Sequence, residues 1–229
     1  MAAAYDAVSG LAEQGFVTTG SWSHTTSGAN RAILIGNGNR QGGNAQALTA
    51  ATYNSVSATV IQNYNYSSLL ANIGIAGLIA PASGNNTVTA TIAGSTNDQC
   101  FVAISATGID QTTAWGSTAT NNGSSAAASV TGVPSASGDL VVGFNFTSWT
   151  DGTADSPATT AISQPTFSAN RACMNLGYYL ATGSSTDMSF TKGTSGEDDL
   201  WGVIGIALKV SGGGGGSTFP MPTCFFMNQ

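Results

Sequence analysis

The stretch Thr87-Val88-Thr89-Ala90-Thr91-Ile92 alternates apolar residues with threonines without a break. Successive side chains of an extended chain point to opposite faces, so the three apolar residues share one face and the hydroxyls share the other. This alternation is typical of a half-buried β-strand, and residues 55–60 repeat it. The two stretches together predict sheets with one buried face and one face covered by hydroxyls.

Other apolar segments lack this alternation and are separated by clusters of Gly, Asn and Ser. The segments are residues 32–35, 100–105, 140–146, 173–180 and 201–210. They are either central strands covered on both faces or strands that contact another subunit. Clusters such as Gly36-Asn37-Gly38-Asn39 and residues 135–139 predict turns, because Gly and Asn tolerate positive φ.

The spacing of these segments predicts an all-β fold. About a dozen strands separated by turn clusters are typical of an antiparallel β-sandwich of the jelly-roll kind. Helical structure is expected only as short turns near residues 11–14 and 45–51.

The charge composition excludes two classes of partner. Only 7% of the residues are charged and the net charge is -6, with five basic residues scattered along the chain. Binding to the phosphates of nucleic acid, or to an anionic membrane surface, requires clustered cations. No apolar run reaches the ~18 residues of a spanning helix. We therefore expect neither nucleic acid nor membrane as a partner.

The three cysteines, Cys100, Cys173 and Cys224, show no CxxC spacing. They are interpreted as reduced thiols of a protein made in a cytoplasm, and a Cys100–Cys173 bridge is the alternative. The first residues, Met1-Ala-Ala-Ala-Tyr5-Asp6, lack the basic and apolar regions of a secretory signal, so secretion by the standard route is not expected.

The clearest boundary in the chain is a run of five glycines, residues 212–216. We predict a β-sandwich domain over residues 1–211, a Gly-rich linker over residues 212–217 and an apolar arm over residues 218–229. An exposed apolar arm suits docking on a partner, although an appended linker and tag would have the same composition. The residues expected to dock are Phe219, Pro220, Met221, Phe225, Phe226 and Met227.

Residues able to carry chemistry are few. His24 is the one histidine and is expected to be structural, and no nucleophile elbow, zinc-protease motif or phosphate loop is present. Asp151, Asp155 and the acidic run at residues 197–199 are interpreted as turn residues, with a structural Ca²⁺ as the alternative. The sequence thus predicts no catalytic set, no metal site and no cofactor.

Four aromatic residues placed in or beside predicted loops allow two interpretations. Such rings either stack on sugars or close the ends of a sandwich core. The four are Trp115, Trp149, Tyr64 and Tyr66.

Several segments resemble, in their order, a β-sandwich domain common in structural proteins of tailed phages. The segments are Trp22-Ser-His-Thr, Gly28-Ala-Asn-Arg-Ala-Ile-Leu-Ile, Ala51-Thr-Tyr-Asn-Ser-Val, Gly108-Ile-Asp-Gln-Thr-Thr and Gly138-Asp-Leu-Val-Val, within residues 5–210. The resemblance implies a virion protein assembled in a host cytoplasm, often a trimer, in which Asp110 and Asp139 form turns. The glycine run and the arm depart from the resembling part.

These observations favour a non-enzymatic decoration or cement protein on the capsid exterior. Its arm would bind the major capsid protein or a sister subunit, with large apolar side chains as anchors. The alternative is a carbohydrate- or receptor-binding module of a tail fibre, in which the four aromatic residues form the platform.

Overall fold

The computed structural model describes residues 2–40, 45–66, 71–125, 127–148, 156–157, 166–169, 172–191 and 200–212. In this part of the chain the fold is all-β, with antiparallel pairing throughout and no helix, so the predicted fold class is confirmed. The predicted helical turns are wrong, since residues 11–14 lie in β1 and residues 48–51 lie in β3. A helix long and apolar enough to cross a membrane is not found among these residues.

The first six strands form an N-terminal unit. They are β1 (Ala4–Thr26), β2 (Ala32–Arg40), β3 (Leu48–Tyr53), β4 (Val56–Tyr66), β5 (Ala71–Ile79) and β6 (Gly84–Thr107). The long strands β1 and β6 pair along most of their length, with an irregular register between Gln14 and Thr19. The six strands form one sheet in the order β1-β6-β2-β5-β4-β3. The second half of β6 pairs with β2 and its first half pairs with β3, which also pairs with β4.

The remaining strands form a C-terminal unit. They are β7 (Trp115–Gly123), β8 (Ala127–Pro134), β9 (Leu140–Ser148), β10 (Ser156–Pro157), β11 (Thr166–Ala169), β12 (Ala172–Leu180), β13 (Ser185–Thr191) and β14 (Leu200–Leu208). A five-stranded sheet has the order β11-β12-β9-β14-β7, and a three-stranded sheet has the order β10-β13-β8.

The two units share the order of their central strands. In each unit a central strand lies next to the last strand of that unit: β2 lies between β6 and β5, and β9 lies between β14 and β12. Ala32 lies opposite Ala106 at the start of β2, and Leu140 lies opposite Leu208 at the start of β9. The described sheets thus divide into two units that pack on each other, and the division into a domain over residues 1–211, a linker and an arm stays a prediction.

The central strands β2 and β9 pack face to face where the two units meet. Gly36 and Gly38 lie in β2, so the predicted turn at residues 36–39 is wrong. A Cβ atom on Gly36 would lie 2.7 Å from a ring carbon of Phe144, and one on Gly38 would lie 2.6 Å from Cγ of Phe146. Glycine occurs here because two phenylalanine rings occupy the space above the strand.

Three apolar cores follow from this stacking. One core fills the N-terminal unit, one fills the C-terminal unit, and the largest lies between the units; we call this last one the central interface. Among the described side chains, most of the apolar segments without alternation are covered on both faces, the first of the two predicted alternatives, and Leu180 at the end of β12 is the exposed exception. Cys100 is buried in the central interface. The side chain of Cys173 lies outside the described part of the chain, so the alternative Cys100–Cys173 bridge stays a prediction.

Candidate functional site

A cleft of about 640 Å³ lies beside the central interface, against which its lining residues Trp115 and Val210 pack. Its walls come from the segment before β7, the start of β7, the loop between β8 and β9, and the end of β14. The side chains that give it chemical character are Asp110, Thr113, Trp115, Ser117, Asp139 and Lys209.

Trp115 is the aromatic wall of this cleft. It is the first residue of β7 and is half-buried, with part of its ring packed on the central interface. A Cβ atom on Gly77 of β5 would lie 2.6 Å from Cζ2 of the indole, so glycine at that position lets the ring approach the strand. The remaining indole surface is available to a ligand in the cleft.

Asp110 is an exposed carboxylate held by its own loop. Its Oδ1 accepts hydrogen bonds from the backbone N–H groups of Thr112 and Thr113, both at 2.7 Å, and from the Thr112 hydroxyl at 2.7 Å. These hydrogen bonds, led by that of the hydroxyl, lower the pKa of Asp110 to about 2. A carboxylate this acidic stays ionised near neutral pH and does not serve as a proton donor.

Asp139 is the buried carboxylate of the cleft. Its Oδ2 accepts from the N–H of Ala136 at 2.8 Å, and its Oδ1 accepts from the N–H of Val210 at 3.0 Å. The side chain therefore closes the turn before β9 and ties it to the end of β14. Both Asp110 and Asp139 form turns, as the resemblance implies.

Tyr66 is not available as a platform for sugar, which corrects its proposed role. Its ring is buried over Gly202, and its hydroxyl donates to the carbonyl of Phe146 at 2.8 Å. Burial, the largest cause, raises the pKa of Tyr66 well above its ordinary value. Tyr66 thus closes the core, which is the second of the two interpretations given to these aromatic residues.

Tyr64 lies apart from the cleft. It stacks on Tyr66 with ring centres 5.9 Å apart, and its hydroxyl accepts a hydrogen bond from Asn122. Tyr64 pairs with Ile73, whereas Trp115 packs on Gly77 of the same strand. Four residues of strand separate the two sites by about 13 Å, so the structure does not bring them together. Trp149 lies outside the described residues.

His24 is the centre of a buried hydrogen-bond network that sequence reasoning missed. Its Nδ1 lies 2.8 Å from Oγ of Ser9 and its Nε2 lies 3.0 Å from Oγ of Ser105. Ser105 in turn donates to Oδ2 of Asp6 at 2.8 Å. Pairing of β1 with β6 brings these residues together, although they are distant in sequence. We call this set the His24 network.

The hydrogen bonds define one tautomer of His24. Because Ser105 donates its proton to the Asp6 carboxylate, its oxygen accepts from the Nε2–H of the ring. Nδ1 is then the acceptor, and Ser9 donates to it while accepting from Nε1 of Trp22 at 2.9 Å.

The His24 network resembles a catalytic arrangement only in composition. Burial lowers the pKa of His24 to about 4, against the opposing charge of Asp6. A histidine with that pKa is a weak base near neutral pH. His24 is 2% exposed, and the network connects the two halves of β1 to β6, which fits the structural role predicted for this residue.

The remaining candidate residues lie outside the described part of the chain. They are the acidic residues at 151, 155 and 197–199 and the arm over residues 218–229. Within the described part, no group of three or more His, Cys, Asp or Glu side chains is arranged to hold a metal ion.

Comparison with known proteins gives no further identification. No family model, no curated protein and no solved structure matches this chain. Its function is therefore argued from the sequence, the fold and the geometry described above.

Proposed function

We propose that this chain is a non-enzymatic structural protein of a phage virion, a decoration protein on the capsid exterior that binds the major capsid protein. Four titratable side chains of the His24 network and the cleft, Asp6, His24, Asp110 and Asp139, form hydrogen bonds that hold strands and turns. The low charge fraction, 7%, suits a protein that contacts many neighbours, because repulsion between copies is weak.

The observation that carries the proposal is the way the arm is attached to the body. The N–H of Ser211 donates to the carbonyl of Gly108 at 2.7 Å, and residues 109 and 210 form a β-bridge. The body therefore holds the chain firmly up to the glycine run. Beyond it, Phe219, Phe225 and Phe226 supply large apolar side chains of the kind that dominate interface energies.

A pelleting experiment tests this function. Purified protein is mixed with undecorated phage heads, the heads are sedimented, and the bound copies are counted. We expect saturable binding at a fixed ratio to the major capsid subunit, and that ratio reports whether the protein binds as the trimer that the resemblance implies.

A matched variant keeps the body unchanged. Phe225→Ser combined with Phe226→Ser alters the arm at two of its proposed anchors, and circular dichroism checks that the body is folded. We expect at least about a tenfold loss of affinity for the heads, since each buried Phe contributes about 1.5–3 kcal/mol. Full occupancy by this variant would contradict the proposed role of the arm.

A second candidate function is carbohydrate binding, and the cleft at Trp115 favours it. The indole provides a face for stacking on a sugar ring, and Thr113, Ser117 and Asp110 provide donors and acceptors for its hydroxyls. A glycan array distinguishes this function from capsid binding. Binding that is abolished by Trp115→Ala and largely retained by Trp115→Phe would favour the carbohydrate module.

A further inference from the structure

A second concave surface, an apolar groove of about 440 Å³, lies where β1 of one unit meets β12 of the other. Its walls are Ala3, Ala4, Tyr5, Leu140 and residues 178–180. The rings of Tyr5 and Tyr178 stack across the boundary between the units, with centres 4.6 Å apart and planes within 4°. The groove therefore has a fixed aromatic floor and no charged residue in its lining.

Leu180 marks this groove as an unfilled surface. It is 49% exposed, and in the described part of the chain the only other large apolar side chain with comparable exposure is Val56 at 53%. Val56 lies at the start of β4, away from the groove. An exposed leucine beside stacked tyrosines gains free energy when another apolar group covers it.

The described part of the chain ends close to this groove. Ser211 is bonded to Gly108, and Gly108 packs against Ala2 and Ala3; Ala3 lines the groove. On three adjacent strands of the sheet, Leu208 lies opposite Leu140, and Leu140 lies opposite Leu180. Adjacent strands are about 4.8 Å apart. The route from the end of β14 to the exposed leucine is therefore about 10 Å.

The linker is long enough for that route. Residues 212–217 span up to about 20 Å when extended, at ~3.3–3.6 Å per residue. Residues 218–229, Thr-Phe-Pro-Met-Pro-Thr-Cys-Phe-Phe-Met-Asn-Gln, contain no charged side chain and match the uncharged lining of the groove. A short flexible linker gives an attached segment an effective concentration in the millimolar range, which favours the arm of the same molecule over that of a second copy.

We propose that in the free protein residues 218–229 fold back onto their own body and fill the Tyr5–Tyr178–Leu180 groove with aromatic side chains of the arm. This inference does not rest on the capsid-binding function. If both hold, the arm leaves the groove when it binds the capsid subunit, and the groove is a resting site that shields the apolar arm from water before assembly.

Cys224 provides a probe within the arm of the intact chain. Under reducing conditions a maleimide labels the full-length protein, and mass spectrometry follows the rate at Cys224. We expect this rate to be at least about tenfold lower than in a free peptide of residues 218–229, the factor that corresponds to about 1.4 kcal/mol. Equal rates in protein and peptide would overturn the proposal.

Two substitutions test the location. Leu180→Asp introduces a charge into the groove and is expected to raise the Cys224 rate to that of the peptide, whereas Val56→Asp, at the similarly exposed control position, is expected to leave it unchanged. Circular dichroism confirms that both variants are folded. If Leu180→Asp perturbs the body, the double substitution Phe225→Ser and Phe226→Ser tests the same contact by changing the arm. Its labelling rate at Cys224 is expected to equal that of a free peptide carrying the same two changes. Protection that survives substitution of both the groove and the arm would overturn the proposal.

Protein concentration distinguishes the arm of the same molecule from that of a second copy. If the arm docks within one molecule, the rate of maleimide labelling at Cys224 stays the same when the protein is diluted about 100-fold. Protection that disappears on dilution would overturn docking within the molecule and assign the groove to a neighbouring copy. Since Leu180→Asp keeps the arm, this variant is still expected to bind phage heads. If Leu180→Asp binds phage heads normally and its Cys224 is labelled at the rate of the parent protein, the groove proposal is refuted and the proposed function stands.

Discussion

Replacing Gly38 with alanine places a methyl group where the ring of Phe146 already lies. The added Cβ would be 2.6 Å from Cγ and 3.0 Å from Cβ of Phe146, whereas ordinary contacts between carbon atoms are about 3.5–4.0 Å. The ring would have to move by roughly 1 Å. Phe146 is fully buried in the central interface, so that movement disturbs both units.

The cost of this substitution combines two opposing contributions. Overpacking of a filled core costs about 1–3 kcal/mol, while alanine in a strand gains about 0.5–1 kcal/mol over glycine. We expect Gly38→Ala to lower the free energy of unfolding by about 1–2 kcal/mol, measured as the shift of the urea midpoint at constant slope.

Gly183→Ala is the matched control for that measurement. No atom lies within 4 Å of a Cβ at Gly183, so this substitution is expected to leave stability unchanged within about 0.5 kcal/mol. Phe146→Leu is expected to relieve part of the cost in the double variant, which a double-mutant cycle measures as a favourable coupling. If Gly38→Ala unfolds at the same urea concentration as Gly183→Ala, the face-to-face packing of β2 on β9 is refuted.

Three further predictions concern single side chains. Because the pKa of His24 falls from 6.5 to about 4 on folding, the folded state resists protonation, and stability is lost as the pH falls from 6.5 towards 4. The free energy of unfolding falls by about 3 kcal/mol over this range. Urea unfolding of His24→Gln should show a weaker pH dependence than that of the parent chain. An equal pH dependence in the two proteins would show that His24 is not the cause. Asp139→Ala should lower stability by about 1–3 kcal/mol, since the N–H groups of Ala136 and Val210 lose their acceptors, and a melting temperature equal to that of the parent chain would contradict this role. Cys100 is fully buried, so under reducing conditions a thiol reagent should modify it at the rate of unfolding in native buffer and rapidly in urea; rapid modification of the native protein would mean that the central interface opens.

Alternation in the sequence was sufficient to predict the fold class, but it did not predict that the strands form two units with a shared strand order. The strands at residues 55–60 and 87–92 were identified because their period of two is a local property. The correspondence between the units lies in the order of their strands. The residues that face each other between the units are of different types, glycine on one side and phenylalanine on the other. Asn37 and Asn145 are buried at equivalent positions of β2 and β9, and sequence reasoning did not use this correspondence.

The errors in the prediction have tertiary causes. Residues 36–39 were interpreted as a turn because Gly and Asn are turn formers, and only the rings of Phe144 and Phe146 explain glycine inside a strand. Similarly, the contact of His24 with Asp6 through Ser105 depends on the pairing of two long strands. For Tyr66 the sequence leaves both interpretations open, because the burial of its ring comes from Phe146 and Gly202 of the second unit.

The packing of Gly36 and Gly38 against Phe144 and Phe146 joins unlike residues at equivalent positions of the two units. A two-fold dimer of identical units would bring glycine against glycine or phenylalanine against phenylalanine. The first pairing leaves a void between the sheets, and the second requires two rings to occupy one site. The two units belong to one chain, so this symmetry requirement does not apply. A residue of one unit can differ from the residue at the equivalent position of the other unit. The two units are in effect a covalent heterodimer, and neither face is complementary to itself.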